Sequence, residues 1–270
     1  MKIVVCIKQV PERDARLRVA ADGTSIDETG VSTEINESDQ YALEAGLRLA
    51  EGKAGVAGDG GSEVVVACLG PDKAEEAIRR ALAMGAARAM HLNDPAFQGG
   101  DATATARALA KAIEPEVPDL ILTGLQSDDA GWAQTGLLIA ERLGLPSATL
   151  IMEIEPPANG RIKVKRELES GWFQWITLPL AAVLTIQSGI YPVRYATLKG
   201  IMGAKKKEMK KLTPADLGLS PDQIGAAGSG VELLKVYIPE KAKSAQILQG
   251  DTSQAAATLV EKLRNEAKVL

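Results

Sequence analysis

Residues 63–92 read EVVVACLGPDKAEEAIRRALAMGAARAMHL, in which two apolar runs flank a longer segment with a helical pattern. The runs Glu63–Leu69 and Ala89–Leu92 are too short for helices and too continuously apolar for a sheet that exposes one face. Asp72 stands where a helix N-cap is expected, and Gly85 ends the helical pattern as a C-terminal glycine does. The stretch therefore predicts two buried parallel strands connected by a helix.

The same alternation extends towards both ends of the chain. Lys2–Ile7 and Leu120–Leu122 have the composition of further buried parallel strands. Further helices are predicted from Ser38 or Asp39 to Gly52, from about Asp101 to Ile113, and from about Trp132 to Leu143. Strands that alternate with helices in this way are typical of an α/β, doubly wound fold around a mostly parallel sheet.

After Pro146 the sequence changes to strand patterns separated by turn signals. Asn159-Gly160 and Ser170-Gly171 are dipeptides that favour tight reversals of the chain. The strands predicted around them are Ala148–Ile154, Ile162–Leu168, Trp172–Leu178 and Val183–Ile186. We expect antiparallel hairpins appended to the parallel sheet.

The last part of the chain departs from the α/β pattern. It contains an irregular stretch from Ser188, a basic run from Lys205 to Lys211 and a final helix capped near Asp251 or Thr252. Because so little of this region buries a core by itself, we predict an α/β nucleotide-binding domain over residues 1–187 and a C-terminal arm over residues 188–270 that packs on another chain. The alternative is a small independent domain in the same place.

Composition places the chain among ordinary globular proteins, with 270 residues of which 46% are hydrophobic and 24% charged. A formal net charge of -4 and an aromatic content of 3% give no reason to expect nucleic-acid binding. No apolar run approaches the roughly 20 residues of a membrane helix, so no direct membrane insertion is expected.

Cys6 and Cys68 lie in apolar runs, where cysteine acts as a small hydrophobe, which fits a reducing, cytoplasmic compartment. With His91 as the single histidine, zinc chemistry and a Cys–His nucleophile pair are not expected.

The segment that follows the strand at Leu120–Leu122 is rich in glycine and reads GLQSDDAGWAQTG over residues 124–136. In open α/β sheets, ligands bind beyond the carboxyl ends of the strands, where helix N-termini offer free N–H groups to an anion. We therefore predict a phosphate here, held by glycine backbone and side-chain donors at Gly124, Gly131, Gly136, Gln134 and Thr135. Asp128 and Asp129 are expected to accept hydrogen bonds from ribose hydroxyls or to cap the helix. The alternative is a polar loop with capping aspartates.

Two other segments fall at the same carboxyl edge of the predicted sheet. Asn36–Asp39 precedes the first helix, and Leu69–Pro71 ends a strand, so both are placed to form further walls of a nucleotide pocket. Each is also compatible with an ordinary cap or turn. The residues after the first strand, Val10–Arg13, contain no GxGxxG, which disfavours a dinucleotide-binding dehydrogenase.

Five segments stand out in order along the chain. They are VVCIKQVP at 4–11, EAIRRALAMGA at 76–86, GLQSDDAGWAQTG at 124–136, VKRELESGWFQWITLPLAAVLTIQ at 164–187 and RYATLKGIMGAKKK at 194–207. Together they resemble the β-subunit of electron transfer flavoprotein. A single short segment is a weak signal, whereas all five in order are specific. The resemblance implies an adenine nucleotide α-hydrolase-like fold for the α/β domain.

The resemblance also implies a heterodimer that carries electrons and is not itself an enzyme. An α-subunit would hold most of the site for a redox-active FAD, and the β-subunit would add a wall beside it and bind an AMP of its own. Electrons would arrive from acyl-CoA dehydrogenases or related flavoenzymes, as in fatty acid β-oxidation. They would leave towards an electron transfer flavoprotein–quinone oxidoreductase.

By position, the resemblance assigns the pocket to Cys6, Asn36, Asp39, Leu69, Gly124, Asp128, Asp129, Gly131, Trp132, Gln134 and Thr135. It assigns Leu198 to the leucine anchor that inserts into the partner dehydrogenase. An anchor fits this position because neither helical nor strand periodicity gives Leu198 an inward face. Lys205, Lys206 and Lys207 are expected to speed the encounter with that partner, with a solvated helix face as the alternative.

Two further readings follow from departures from the family pattern. Ala130-Gly131-Trp132 is less acidic than the corresponding loop of AMP-binding members, which leaves open a bifurcating subunit whose second FAD oxidises NADH in the same pocket. A non-redox module that binds an adenosine nucleotide is the other alternative. The bulky Trp172, Phe173 and Trp175 indicate an apolar contact with the α-subunit or with another partner.

Overall fold

The computed structural model describes residues 1–52, 61–239 and 245–270, and its central element is a nine-stranded sheet. The strands are β1 (Lys2–Cys6), β2 (Gln9–Pro11), β3 (Thr33–Ile35), β4 (Glu63–Leu69), β5 (Arg88–Leu92), β6 (Leu120–Gly124), β7 (Ser147–Ile154), β8 (Arg161–Glu167), β9 (Phe173–Pro179), β10 (Ala182–Ile186) and β11 (Met209–Leu212). The α-helices are α1 (Glu37–Ala50), α2 (Glu75–Met84), α3 (Ala102–Ile113), α4 (Thr135–Leu143), α5 (Leu198–Ala204) and α6 (Thr252–Asn265). The short strands β2 and β3 form a separate antiparallel pair.

The strand order of the large sheet is β11-β5-β4-β1-β6-β10-β7-β8-β9. From β11 to β7 every neighbouring pair is parallel, whereas β8 and β9 are antiparallel to their neighbours. In the centre, Ile3 of β1 lies opposite Val64 of β4 and Leu120 of β6. Because β1 leads to β4 on one side and borders β6 on the other, the chain winds outward in both directions from β1.

Helices cover both faces of the parallel strands. On β1, Ile3 and Val5 join a core with α1 and α2, whereas Val4 and Cys6 join a second core with α3 and α4. Strands buried on both faces have no polar side, which is why their sequences are continuously apolar. Each fully buried Leu or Ile contributes about 1.5–3 kcal/mol of hydrophobic stabilisation. The predicted doubly wound, mostly parallel α/β fold is confirmed.

Antiparallel pairing is confirmed between β7 and β8 and between β8 and β9, whereas the prediction was wrong for Val183–Ile186, because β10 pairs in parallel with β6 and β7. Asn159 and Gly160 connect β7 to β8 with φ angles of 52° and 70°, the left-handed conformation that a two-residue hairpin turn requires. Along β8, Ile162 and Val164 point into the core while Lys163 and Lys165 alternate with them. The alternation places one face of the hairpin on the core and the other in solvent.

The fourth helix of the α/β pattern begins later than predicted. We expected it from about Trp132, but α4 starts at Thr135. Gly131 and Ala133 have positive φ angles of 63° and 54°, which no right-handed helix accommodates. The residues before Thr135 therefore form an irregular loop, and the helix N-terminus lies closer to Gly136.

The predicted boundary at residue 188 falls inside the packed body of the molecule. Strand β11, in the expected arm, pairs with β5 and extends the parallel sheet. Leu212, Leu219 and Ile224 are buried in the core shared with α3 and α4. These residues were not recognised as core because they stand singly among lysine, proline and glycine. That the remainder of the region packs on another chain stays a prediction.

The region around Leu198 is also more regular than predicted. Leu198 is the first residue of α5, and Thr197 caps this helix because its Oγ1 accepts from the N–H of Gly200 at 3.1 Å. Two glycines in seven residues, Gly200 and Gly203, hide the helical pattern.

The last helix, α6, carries the predicted cap at Asp251, whose carboxylate accepts from the N–H of Gln254 at 2.9 Å. None of its residues is buried, and Leu259 and Val260 are exposed. Across the three described ranges, no helix has the length and apolar character needed to cross a bilayer.

Candidate functional site

A cavity of about 540 Å³ opens at the carboxyl ends of the central strands. Its walls come from the residues that follow β1, β4, β5 and β6 and from the first residues of α3 and α4. This is the position where the chain winds outward in two directions, which is the usual ligand site of such sheets. Its volume is in the range of small-molecule and cofactor sites.

The structure brings most of the predicted pocket residues together around this cavity. Those that line it are Cys6, Asn36, Asp39, Leu69, Gly124, Asp129, Trp132, Gln134 and Thr135. Asp128 and Gly131 do not line it. That any of the predicted residues binds a nucleotide stays a prediction.

The backbone of the loop explains both departures. The N–H of Asp128 donates to Asn36 Oδ1 at 2.8 Å, and the Asp128 side chain turns towards the N–H of Glu37, 3.4 Å away, at the start of α1. It therefore faces the beginning of α1 and not the ligand space. The N–H of Gly131 closes a turn onto Ser127 O at 2.9 Å, outside the cavity wall.

Asp39 joins the ends of the two central strands. Its buried carboxylate accepts from the N–H of Lys8 at 2.8 Å and from the N–H of Gly124 at 2.9 Å. Burial raises the pKa of Asp39 to about 7, against the opposing effect of these two N–H groups. Residue 124 must be glycine, because a Cβ there would lie 2.3 Å from Asp39 Oδ1.

Asn36 fixes the glycine-rich loop through its side-chain amide. Nδ2 donates to Gln126 O at 2.8 Å, and Oδ1 accepts from Asp128, as described above. The hydroxyl of Ser38 adds a second bond to Gln126 O at 2.7 Å. The amide of Asn36 thus shapes the cavity wall through bonds to the protein itself.

We predict that Asn36→Ala lowers the free energy of unfolding by about 1–3 kcal/mol, because it removes the bonds that the buried Asn36 side chain makes to the N–H of Asp128 and to Gln126 O. Asn93→Ala is the matched control, since Asn93 also lines the cavity but its side-chain amide donates to the exposed Asp72, at 2.6 Å. Its effect should stay within about 0.5 kcal/mol. Urea unfolding of both variants measures the difference; equal effects would contradict the role given to Asn36.

The N-terminus of α4 is open towards the cavity. No side chain caps it, and no acidic residue stands in its first turn, while Thr135 and Gly136 line the cavity. By contrast, Asp101 caps α3 at the same cavity by accepting from the N–H of Ala104 at 2.8 Å. Uncapped N–H groups and the positive end of the helix dipole make the α4 N-terminus the anion-binding end of the cavity.

Lys8 is a cavity residue that the sequence analysis missed. Its ammonium lies 2.7 Å from both carboxylate oxygens of Asp129. Burial raises the pKa of Asp129, but the Lys8 charge and hydrogen bonds outweigh it and hold that pKa below its ordinary value. The available signal was position, because Lys8 stands two residues after the carboxyl end of β1.

The loop from Asn93 to Asp101 was missed as well, although it follows the carboxyl end of β5. It contributes the buried Phe97 to the cavity. The segment after residue 223 fixes this loop through two hydrogen bonds. The N–H of Ala226 donates to Gln98 O at 2.9 Å, and the N–H of Gly230 donates to the Asp101 carboxylate at 2.9 Å.

The two cysteines are buried free thiols. Burial raises the pKa of Cys68 to about 12 and raises the pKa of Cys6 as well, so both are protonated at neutral pH. Cys6 lines the cavity as a small apolar residue. Within the part of the chain that the structure describes, no three histidine, cysteine or carboxylate side chains cluster as a metal site requires.

The predicted docking residues lie at the other end of α1 and α2. Leu198 is 75% exposed, and Lys205 and Lys206 are exposed beside α5. Lys207 is different, because its ammonium donates to Leu82 O at 2.9 Å and to Ala86 O at 2.6 Å at the end of α2. These bonds hold the ammonium against the C-terminal end of α2, and a docking role for Lys207 stays a prediction.

The predicted aromatic contact surface lies at an open edge of the sheet. Trp172, Phe173 and Trp175 are exposed on or beside β9, which is the last strand. The ammonium of Lys165 lies 4.4 Å from the centre of the Phe173 ring, and that of Lys163 lies 4.6 Å from the centre of the Trp175 ring. An exposed edge strand with large aromatic side chains is a ready surface for a protein partner.

Comparisons with known proteins show the family of the chain. The profile of the electron transfer flavoprotein domain matches residues 23–217. The chain is 37% identical to electron transfer flavoprotein subunit beta of Methylophilus methylotrophus over 99% of both chains, and 36% identical to the same subunit of Thermoanaerobacterium thermosaccharolyticum over 98% of both. It is 35% identical to the caffeyl-CoA reductase–Etf complex subunit CarD of Acetobacterium woodii, over 98% of this chain and 99% of that one. The chain therefore belongs to the electron transfer flavoprotein family, as its sequence segments predicted.

Proposed function

We propose that this chain is the β-subunit of a heterodimeric electron transfer flavoprotein, which passes electrons from flavin dehydrogenases such as acyl-CoA dehydrogenases towards a quinone oxidoreductase. The full-length similarity to proteins named as this subunit supports the proposal. The observation that carries it is the cavity of about 540 Å³ with the uncapped α4 N-terminus in its wall. A carrier of this kind converts no substrate of its own.

AMP is the ligand that we propose for the cavity. Backbone N–H groups at Thr135 and Gly136 would hold its phosphate, because they stand at the open positive end of α4. Leu69, Phe97 and Leu109 supply apolar wall for an adenine base. In this role AMP joins the loops after β1, β4 and β6 and stabilises the subunit by occupying its folded form.

FAD is the group that we propose to lie between this chain and an α-subunit, where it supplies the electron transfer. The chain's own part is to bind the α-subunit and to exclude water from one side of the flavin. Two surfaces suit this contact because they expose large apolar side chains: the aromatic edge at β9 and the apolar face of α6.

A second candidate follows from the similarity to a subunit of a caffeyl-CoA reductase complex. In that case the cavity holds a second FAD in place of AMP, and the complex oxidises NADH. The two candidates share the α-subunit and differ in what is bound at α4. Measuring the bound nucleotides therefore distinguishes them, and also distinguishes both from a non-redox nucleotide module.

We predict that the chain expressed alone contains no flavin, whereas co-expression with the α-subunit gives a yellow, monodisperse complex. The reason is that the exposed apolar surfaces at β9 and α6 lack their partner in the isolated chain. Size-exclusion chromatography with flavin absorbance checks both states. An isolated chain that retains stoichiometric FAD would rule out the shared flavin site.

A further inference from the structure

The body of α5 is attached to α2 without help from the residues before it. Gly200 lies so close to α2 that a Cβ there would be 2.2 Å from Ala83 O. Nη1 of Arg79 donates to Ala204 O at 2.9 Å, and Lys207 bonds the carbonyls at the end of α2. These contacts fix α5 from Gly200 to its C-terminal end, and its first residue, Leu198, takes part in none of them.

Arg194 bonds the segment in front of Leu198 to α1, and Val193 and Ala196 of this segment also pack, partly buried, against the core. Nε of Arg194 lies 2.7 Å from Glu44 Oε2 and Nη2 lies 3.1 Å from Glu44 Oε1. The same guanidinium reaches Glu51 with Nη1 at 2.5 Å and Nη2 at 3.1 Å. The backbone N–H of Arg194 adds a third contact to Glu44 at 3.2 Å. Arg194 therefore spans two turns of α1.

The carboxylate that receives Arg194 is built into the helix. The Glu44 side chain is only 2% exposed. Nε of Arg48 also donates to Glu44 Oε1, at 2.7 Å. The Arg48 guanidinium in turn lies 4.8 Å from the centre of the Tyr191 ring. A buried carboxylate needs cationic partners with good geometry, and a planar guanidinium that bonds it through two nitrogens supplies that geometry.

Among the residues after Arg194, Tyr195 and Thr197 are exposed, whereas Ala196 is partly buried against the core. Tyr195 is 91% exposed and Leu198 is 75% exposed, so neither is fixed by packing in the core. We propose that Arg194 is a positioning residue that holds the segment 194–198 in one conformation on α1 and thereby presents Leu198 to the partner dehydrogenase. This inference rests on the docking role proposed for Leu198. Without Arg194 the segment would have to be ordered at each encounter, which lowers affinity.

The test uses Arg194→Gln and a matched control, Arg88→Gln. Arg88 is equally exposed, at 24% against 23%, and it also bonds two carboxylates, Glu63 at 2.8 Å and Glu116 at 2.6 Å. It lies on the side of the sheet that faces α3, away from the segment 194–198. Both variants are made in the complex with the α-subunit, and circular dichroism and thermal unfolding establish that they are folded.

Two measurements follow. Chymotrypsin cleavage after Tyr195 and Leu198 reports local opening of the segment and needs no partner. We expect Arg194→Gln to raise the cleavage rate about tenfold and Arg88→Gln to leave it unchanged.

Reduction of the complex by an acyl-CoA dehydrogenase that also reduces the wild-type complex reports docking. We expect the half-saturating concentration of Arg194→Gln to rise about tenfold at an unchanged maximal rate.

Leu198→Ala separates failure of this inference from failure of the docking role. If Leu198→Ala impairs reduction while Arg194→Gln behaves like Arg88→Gln in both measurements, Arg194 does not position the segment. If Leu198→Ala leaves reduction intact, the docking role itself fails, and the cleavage rate alone decides on Arg194. Should Arg194→Gln not fold, Arg194→Lys replaces it, because lysine keeps the charge but cannot bond Glu44 and Glu51 together. A folded Arg194→Lys that is cleaved at the wild-type rate overturns the inference.

Discussion

Leu198→Ala should weaken the affinity of the assembled complex for its partner dehydrogenase by roughly thirtyfold, or about 2 kcal/mol, because truncation of a docking anchor typically costs that much. The free energy of unfolding and the flavin content should not change. Leu198 is 75% exposed, so its truncation leaves no cavity in the core. Reduction of the complex at increasing dehydrogenase concentration measures the affinity, and thermal unfolding measures the stability.

Val117→Ala is the matched control for this prediction. Val117 is 80% exposed and follows α3, on the other side of the sheet from α5. It should leave reduction at the wild-type value, and because a β-branched side chain is strained at the positive φ of 47° that Val117 has, alanine should not lower the melting temperature. If Leu198→Ala instead lowers the melting temperature by several degrees and leaves reduction intact, Leu198 belongs to the core of the complex and is no anchor.

Gly136→Ala should reduce the affinity of the cavity for its nucleotide by roughly ten- to a hundredfold, the equivalent of about 1–3 kcal/mol for an overpacked site. Alanine inside a helix ordinarily adds about 1 kcal/mol of stability relative to glycine. Here its Cβ would lie 2.5 Å from Thr123 Oγ1 and 2.7 Å from Thr185 Cγ2. The overlap pushes the α4 N-terminus away from β6 and β10, and with it the N–H groups that face the phosphate.

Gly131→Ala separates this effect from general strain in the loop. A Cβ at Gly131 meets no atom within 4 Å, and its positive φ of 63° makes alanine cost about 1–2 kcal/mol of stability. Nucleotide content after gentle purification should therefore fall in Gly136→Ala and persist in Gly131→Ala, with FAD retained in both. If the two variants lose nucleotide equally, the anion is not bound at α4.

Periodicity was sufficient to predict the elements that are buried on both faces. The unit at 63–92 forms β4, α2 and β5 with ends close to those predicted, because each element has enough residues to establish its period. Strand β11 was not recognised for the opposite reason. Its sequence, MKKL, is an edge strand whose charged residues point outward, so it has the pattern of a basic loop.

The position of the site could be predicted from the sequence, whereas the directions of several of its side chains could not. Residues that follow the carboxyl ends of strands converge on the cavity, as the fold requires. Asp128 turns away because of its bond to Asn36, 92 positions earlier, and Lys207 is occupied by carbonyls of α2 more than 120 positions earlier. No local pattern records contacts over such separations.

We propose that this chain, joined to an α-subunit, shares one flavin and holds AMP in its own cavity. The most direct measurement is to purify the co-expressed complex, denature it and quantify the released FAD and AMP against protein by chromatography. We predict equal amounts of FAD and AMP, each equal to the amount of heterodimer. Two equivalents of FAD with no AMP, or AMP without flavin, would contradict the claim.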